Sequence, residues 1–292
     1  MSSDRVPWRA ETVVSRALAV GFLVLCWAML TRSFWPAIVS PLLRVAQAVR
    51  GAGAVEVESL YLDVRNNSSA EGDLIRQTVA QLDADYAALQ AVVGASPTVR
   101  IPVLLADGTG PALTGGRQLI VAYDDGTVDL SSAPYLLVLL SEGDLDLPGL
   151  DLFVEGGYAV SVVERAGLAQ PLLGQPTDAW VTLMEQSGVR PSLAEAWDVG
   201  MPANAQDVVD MSGALLVAGS FVGWVADVQG DDAVDDLRYG MTVEETLGLS
   251  LQEAEQRWWA DIEAEKLDPR PCLEALPPGS PLRSFCTQFG DL

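Results

Sequence analysis

The side chains that could do chemistry in this chain are carboxylates, serines and cysteines, because its 292 residues include no histidine. Histidine is the usual nitrogen ligand of catalytic zinc and the usual base beside a serine or cysteine nucleophile. Ser161, Ser220 and Cys286 therefore have no imidazole to activate them. The single lysine, Lys266, lies in the polar end of the last predicted helix. We expect no nucleophilic hydrolysis from these residues.

A run of carboxylates in one short segment offers hard oxygen ligands of the kind that bind calcium. Its members are Glu142, Asp144, Asp146 and Asp151. The segment lacks the spacing of glycine and terminal glutamate that a calcium-binding loop has. A solvated acidic turn is therefore the favoured interpretation, and calcium binding is left open. We predict no cofactor and no small-molecule substrate.

The charge of the chain is divided unevenly along its length. Residues 1–50 hold six arginines and two acidic residues, whereas residues 51–292 hold 11 basic and 38 acidic residues, a balance of −27. A domain this acidic repels phosphate backbones, which argues against nucleic acid as a partner. The hydrophobic content of 49% is enough to bury a substantial core.

An apolar segment near the N-terminus, Ala17–Thr31, is flanked by Arg16 and Arg32 and predicts a transmembrane helix. Its helical length is about 22 Å, short of a bilayer core of about 30 Å, and the residues just before it can extend the span. We therefore assign residues 1–33 to a cytoplasmic N-terminus and a signal anchor. Residues 34–54 are largely apolar but broken by prolines, and we expect them to lie along the membrane interface.

A cleaved signal peptide is the alternative, because Ala46-Gln47-Ala48 has the form of a cleavage site. Its distance from the apolar segment favours an uncleaved anchor. Arginines are equally numerous on both sides of that segment, so the orientation rests on Cys272 and Cys286 in the Pro-rich tail 267–292. A disulfide between them implies an oxidising compartment, and two free thiols are the alternative. We predict a single-pass protein of the cell membrane with an extracytoplasmic C-terminal domain.

The elements that must position any site begin with strands. The predicted strands are Val55–Val64, Val99–Ala106, Gln118–Tyr123 and Thr127–Leu130, the last two forming a hairpin. Pro102 suggests an edge strand or a bulge. An amphipathic helix ended by Gly94 lies between the first two strands, with Asp85 off its apolar face. The apolar positions of that helix are Ile75, Val79, Leu82, Tyr86, Leu89 and Val93.

Helices follow the strands. The predicted segments are Ser132–Leu140, Leu150–Val163, Thr177–Gln186, Ala205–Val228 and Leu251–Ala264. Strands first and helices afterwards predict an α+β fold, with a small β-sheet lobe followed by a helical lobe. We assign residues 55–266 to one domain.

Several local phrases of this domain are similar to a known family. They are Pro148–Ala159, with Glu155-Gly156 inside it, Ser220–Val225, Thr242–Ser250, and a closing helix with Glu253, Glu255 and Trp258-Trp259. Over roughly Leu60 to Ile262 the chain resembles the gluzincin-type peptidase domain called peptidase MA-like, whose members are zinc metallopeptidase relatives. The resemblance implies a metallopeptidase-like fold, and it places Glu155 where the family has its third zinc ligand.

The helix that carries His-Glu-x-x-His in that family is replaced here by Pro134–Glu142, which reads PYLLVLLSE. Leucine and valine bind no zinc, and one carboxylate cannot replace two imidazoles. We therefore expect an inactive metallopeptidase homologue with no metal site, in which Glu155 is a relic. We expect Trp224, Trp258 and Trp259 to belong to the core. Because adjacent helical residues point in different directions, Trp258 and Trp259 are also the candidate contacts for a protein partner, with one of the two exposed.

The leading hypothesis is a membrane-anchored, non-catalytic domain that binds, scaffolds or regulates a protein partner. One alternative is a structural or accessory subunit of a membrane protein complex, in which the anchor makes the main contacts. A second alternative is a hydrolase with a carboxylate-only metal site.

Overall fold

The computed structural model describes residues 57–94, 100–108, 112–114, 118–124, 127–128, 130, 132–141, 152–168, 175–186, 188, 190–199, 205–269 and 271. Predictions for the anchor Ala17–Thr31, for residues 34–54, for the acidic run 142–151, and for Cys272 and Cys286 lie outside the described residues. Within the described part of the chain, no helix is both long and apolar enough to cross a membrane.

The first half of the described chain forms a small mixed sheet with one helix. Its elements are β1 (Leu62–Asn67), α1 (Gly72–Val93), β2 (Ile101–Asp107), β3 (Ala112–Thr114), β4 (Gln118–Asp124) and β5 (Thr127–Val128). The strand order is β1-β2-β4-β3, and β5 also pairs with β4. Both β1 and β4 run parallel to β2, whereas β3 and β5 run antiparallel to β4. The pairing of Asp124 with Thr127 confirms the predicted hairpin.

Helix α1 confirms the predicted periodicity, because five of its six predicted apolar positions are buried and Val93 is half-buried. Gly94 ends the helix with φ of 71°, a left-handed conformation that glycine adopts without steric cost. Asp85, which we expect off the apolar face of this helix, is nevertheless one of its buried residues. Its side chain is buried and accepts a hydrogen bond from Gln81 at 2.7 Å. Burial raises the pKa of Asp85.

The strand boundaries differ from the predictions for physical reasons. β1 begins at Leu62, not Val55, because Asp83 of α1 accepts hydrogen bonds from the hydroxyl of Ser59 and from the backbone N–H groups before the strand. Those groups are therefore unavailable to a neighbouring strand. Pro102 does not mark an edge, since β2 lies between β1 and β4. The pairing of β2 with β4 starts one residue later, so the missing N–H of proline costs that ladder no hydrogen bond.

The second half of the described chain is helical. Its elements are α2 (Ala133–Ser141), α3 (Leu152–Arg165), α4 (Thr177–Gln186), α5 (Leu193–Trp197), α6 (Ala205–Gln229), α7 (Asp231–Arg238), α8 (Val243–Leu247) and α9 (Leu251–Glu265). The five predicted helices are confirmed. The predictions missed α5, α7 and α8.

Capping boxes start three of these helices. In each, the hydroxyl of the N-cap residue accepts a hydrogen bond from the backbone N–H of a glutamate three residues later. The carboxylate of that glutamate accepts a hydrogen bond from the backbone N–H of the N-cap residue. The pairs are Ser192 with Glu195, Thr242 with Glu245, and Ser250 with Glu253. The reciprocal bonds satisfy N–H groups that a helix end otherwise leaves free. They lower the pKa of each glutamate.

One hydrophobic cluster joins the sheet and the helices, so the chain has a mixed α/β fold with a small sheet and a shared core. Helices α3 and α6 make the closest approach in it. A Cβ on Gly157 of α3 would lie 2.7 Å from the backbone oxygen of Ala218, and a Cβ on Gly219 of α6 would lie 2.3 Å from Cγ1 of Val160. The glycines therefore allow the two helices to pack backbone to backbone.

Candidate functional site

Helix α2 stands where the resemblance implies a zinc-binding helix, and it is part of the core. Every residue from Ala133 to Val138 is buried, and Leu137 has no exposed surface. Leu139, Leu140 and Ser141 are half-buried. The helix packs against α1, α3, β2 and β4. No ligand atom replaces an imidazole on the buried part of this helix.

Glu155, which the resemblance makes a relic of the zinc site, pairs with Arg238 of α7. Its carboxylate accepts hydrogen bonds from the Arg238 guanidinium of α7 at 3.1 to 3.3 Å. The guanidinium carbon lies 4.0 Å from the centroid of the Tyr158 ring. The pair is largely buried, with 20% of the glutamate side chain and 12% of the arginine side chain exposed. Glu155 therefore fastens α7 to α3 through a charge-assisted contact.

The two tryptophans proposed for a partner contact have different positions. Trp258 is fully buried, which confirms the expected core position and corrects its candidacy as a surface contact. Trp259 is half-buried, and the guanidinium carbon of Arg190 lies 4.9 Å from the centroid of its ring. Arg190 in turn forms ion pairs with Glu185 and Glu255 at 2.6 and 3.0 Å. The exposed part of Trp259 is therefore limited by a cation–π contact with the Arg190 guanidinium.

A polar pocket of about 180 Å³ lies among α3, α4, α6 and α9. Five acidic side chains line it, Glu164, Asp178, Asp227, Asp261 and Glu265. The same lining includes one basic residue, Arg165, and two indoles, Trp224 and Trp258. Glu164 lies nine residues after Glu155 on α3, or about 13 Å along the helix axis. The acidic pocket is therefore separate from the position of the family's zinc ligand.

A chain of hydrogen bonds crosses the wall of the acidic pocket from α9 to α4. The indole N–H of Trp258 donates to Oγ of Ser220 at 3.0 Å, and the Ser220 hydroxyl donates to a carboxylate oxygen of Asp178. Ser220 is buried, and this hydroxyl proton is already given to Asp178. The arrangement orients Asp178, and it makes Ser220 a positioning group instead of an exposed nucleophile.

Glu164 has a structural role as well as a position in the acidic pocket. Its carboxylate accepts from the backbone N–H of Thr177 at 3.1 Å and from the Thr177 hydroxyl. Thr177 is the first residue of α4, so Glu164 supplies from α3 the acceptor that an N-cap side chain usually provides. Buried Tyr135 of α2 lies near enough for the charge of Glu164 to help raise its pKa, although burial contributes most.

The remaining acidic side chains of the pocket accept fewer hydrogen bonds from described residues. Asp261 accepts from the indole N–H of Trp224 at 2.7 Å. Asp227 and Glu265 have no hydrogen bond or ion pair with any described residue. Arg165 donates to both carboxylate oxygens of Asp231, which is outside the pocket lining. Negative charge in the pocket therefore exceeds the positive charge directed at it.

Burial, with a smaller contribution from this excess of negative charge, raises the pKa values of two carboxylates. Burial raises the pKa of Asp178 to about 6; the hydrogen bond from Ser220 opposes the rise, and repulsion from Glu164, Glu265 and Asp227 adds to it. Burial also raises the pKa of Glu164, against the bonds from Thr177 and with some repulsion from Asp227. Carboxylates with raised pKa values that share a pocket are typical of functional sites.

Local sequence patterns do not indicate this pocket. Ser161, Ser220 and Trp258 stand out in the sequence only as candidates for nucleophilic, core or surface roles. In the sequence, Asp178 resembles an ordinary acidic residue in the first turn of a helix, where the helix dipole stabilises a negative charge. One signal was available, since Glu164 follows the apolar residues Val162 and Val163 in a helix that packs into the core. A charged residue there requires a partner or a polar cavity.

Comparison of the chain with family models, curated proteins and solved structures gives no match. The resemblance to a peptidase MA-like domain therefore stays a prediction. Among the residues that the structure describes, no group of three or more Cys, Asp or Glu side chains is arranged to hold a metal ion.

The raised pKa of Asp178 predicts a pH-dependent cost in stability. A carboxylate whose pKa is higher in the folded state than in the unfolded state destabilises the fold as pH rises from the unfolded to the folded value. A shift from 3.8 to about 6 corresponds to about 3 kcal/mol, and we expect about 1 to 2 kcal/mol because the side chain is only half-buried. Asp178→Asn should therefore gain that amount relative to the native chain between pH 4 and pH 7.

Urea unfolding of both chains at pH 4, 5, 6 and 7 measures this gain. Asn keeps an acceptor for the Ser220 hydroxyl, so the comparison isolates the charge. Asp232→Asn on the exposed surface of α7 is the matched control for the removal of one negative charge, and it should not reproduce the gain of Asp178→Asn. A constant difference for Asp178→Asn would show that Asp178 is ionised at no cost.

Proposed function

We propose that the chain is a membrane-anchored, non-catalytic domain that binds a partner on the extracytoplasmic side. The observation that supports this most strongly is helix α2. Its residues from Ala133 to Val138 are apolar or aromatic and buried in the position where the resemblance implies two zinc-binding imidazoles. A wet catalytic cleft would require polar side chains there, facing solvent.

The environment of Glu155 supports the same proposal. A zinc-binding carboxylate must leave its oxygens free for the metal, whereas those of Glu155 receive three N–H bonds from Arg238. Displacing the arginine would remove the Glu155 carboxylate from a largely buried guanidinium, which is costly. The residue thus contributes to packing between α3 and α7.

The acidic pocket favours a binding role over a purely structural one. A structural subunit gains nothing from carboxylates whose burial lowers stability, whereas a binding domain gains a charged recognition site. The pocket also lies away from the position of the zinc ligand, so ligand recognition and the lost chemistry would use different parts of α3.

Peptide cleavage by the full-length chain in detergent tests the proposal. A mixture of unstructured peptides should remain intact after prolonged incubation with added zinc, for the native chain and for Glu155→Gln alike. Cleavage by the native chain that is lost in Glu155→Gln would show a working metallopeptidase and refute the non-catalytic function. Cleavage that persists equally in both would indicate a contaminating peptidase.

A further inference from the structure

We propose that a short amphipathic helix of this chain, residues 41–50, covers the outer face of the sheet, the face turned away from helices α1 and α2. Residues 41–50 lie outside the described residues, between the predicted anchor and β1. Such a contact holds the sheet side of the domain beside the anchor and leaves the helical side to a partner. The inference goes beyond the proposed function, because it concerns how the domain is held and not what it binds.

The outer face of the sheet is apolar at its centre. Side chains alternate between the two faces of a strand, and Leu105 of β2 belongs to the core shared with the helices. Its neighbour Leu104 therefore points to the outer face, where it forms a separate cluster with Ile120 of β4. Leu104 and Ile120 are direct partners in the pairing of β2 with β4, and so are Ala106 and Ala122, two residues further along. These four side chains form one apolar block.

The apolar block is buried, and the described apolar residues do not account for its burial. Leu104 is 9% exposed, and Ile120 and Ala122 are each 3% exposed. Ala106 is the only other described apolar residue that packs against Leu104 and Ile120. Helices α1 and α2 place their buried apolar side chains in the core on the other face. Because parallel strands are almost always covered on both faces, a further layer belongs on this side.

The sequence predicts an amphipathic helix over residues 41–50. Ser40 suits the N-cap position, Pro41 the first helical position, and Gly51 the position just after the last turn. Apolar residues at the spacing i, i+3, i+4 and i+7 form one face of this helix, and they are Leu42, Val45, Ala46 and Val49. A helix with one apolar face requires an apolar surface to cover it.

The predicted helix has the length and the position to cover the apolar block. Its apolar face is about 10 Å long, and the two residue pairs of the block lie about 7 Å apart along the strands. Residues 51–61 connect the helix to Leu62, the first residue of β1, and β1 stands at the end of the strand order. This connection reaches up to about 35 Å when extended, which is enough to pass around the edge of the sheet. A short connection also keeps the local concentration of the helix high.

Charge favours this helix over two other occupants, a second copy of the domain and the surface of an anionic membrane. Residues 51–292 hold 11 basic and 38 acidic residues and therefore repel both. Residues 1–50 hold six arginines against two acidic residues, and Arg44 and Arg50 belong to the predicted helix. The helix is thus the occupant whose charge complements that of the domain.

Cysteine crosslinking of the full-length chain in detergent tests the contact directly. Ala106→Cys places a thiol on the outer face, and a second thiol is placed on the apolar face of the helix by Val45→Cys, Ala46→Cys or Val49→Cys in turn. Mild oxidation should link the two thiols within one chain, and the fastest of the three variants should react at least tenfold faster than Gln47→Cys on the opposite face. Mass spectrometry of the linked peptides separates these links from any that involve the native cysteines. Equal rates at all four positions, or links only between two chains, would overturn the inference.

Thiol labelling gives a second test that does not depend on how the helix is aligned with the strands. In the full-length chain with Ala106→Cys alone, a maleimide should react slowly with the new thiol. Adding Val45→Asp and Val49→Asp together should accelerate the labelling by tenfold or more, because a charged face no longer packs on an apolar block. Gln47→Asp adds a charge to the opposite face and is the matched control, with a change of less than twofold. An unchanged rate in the variant with both aspartates would show that detergent, lipid or another part of the chain covers the block, and would overturn the inference.

Discussion

Leu137→Asp is expected to unfold the domain at ordinary temperatures. Leu137 has no exposed surface and lies in helix α2, which packs against the sheet and against α1 and α3. A carboxylate there would be buried without a cation, at a cost of about 4 kcal/mol or more. That is a large part of the stability of a typical domain, which is about 5 to 15 kcal/mol. Circular dichroism of the full-length chain during heating measures the loss.

Two further variants show whether the loss comes from burial. Leu137→Met keeps an apolar side chain of similar volume and should cost less than about 1.5 kcal/mol. Leu139→Asp places the same charge at a half-buried position two residues away, and should cost no more than about half as much as Leu137→Asp. An unchanged melting temperature for Leu137→Asp would mean that α2 lines an open cleft, and would restore the possibility of a peptide groove there.

Gly157→Ala is expected to destabilise the domain by about 2 to 4 kcal/mol, although alanine favours helices more than glycine does by about 1 kcal/mol. The added Cβ would lie 2.7 Å from the backbone oxygen of Ala218 and 2.8 Å from its carbonyl carbon. Backbone atoms cannot rotate away, so α3 and α6 would have to separate. That separation would loosen the closest helix contact in the described core.

The neighbouring glycine provides the matched control. In Gly156→Ala the new Cβ would meet Cδ2 of Leu215 at 2.4 Å, which is the end of a side chain that can change rotamer. We expect this variant to range from neutral to about 1 kcal/mol more stable. Urea unfolding of both variants decides the point. Equal stabilities would show that the two helices are not held together by backbone contact at Gly157.

Those elements whose signals are local could be predicted from the sequence. Helix α1 was predictable because its apolar residues recur at steps of three and four and Gly94 supplies a left-handed end. Helices α5 and α8 carried capping boxes that could have been recognised, but each has only five residues, too few for a periodic pattern. The start of β1 could not be predicted, because it depends on Asp83, which lies 24 residues after Ser59.

The acidic pocket could not be predicted from local pattern in the same way. Its lining residues extend from Ser161 to Glu265 along the chain, and they meet only when α3, α4, α6 and α9 pack together. Each acid also had an ordinary interpretation, as a helix-end charge or a solvated surface group. The pairing of Glu155 with Arg238 could not be predicted for the same reason, because the two residues are 83 positions apart in the sequence.

The zinc content of the full-length chain, purified from its native host without chelators, tests the non-catalytic function most directly. Elemental analysis should find far less than one zinc per chain, both in the native protein and in Glu155→Gln. One zinc per chain in the native protein, absent from Glu155→Gln, would show that Glu155 is a metal ligand and would contradict the proposal.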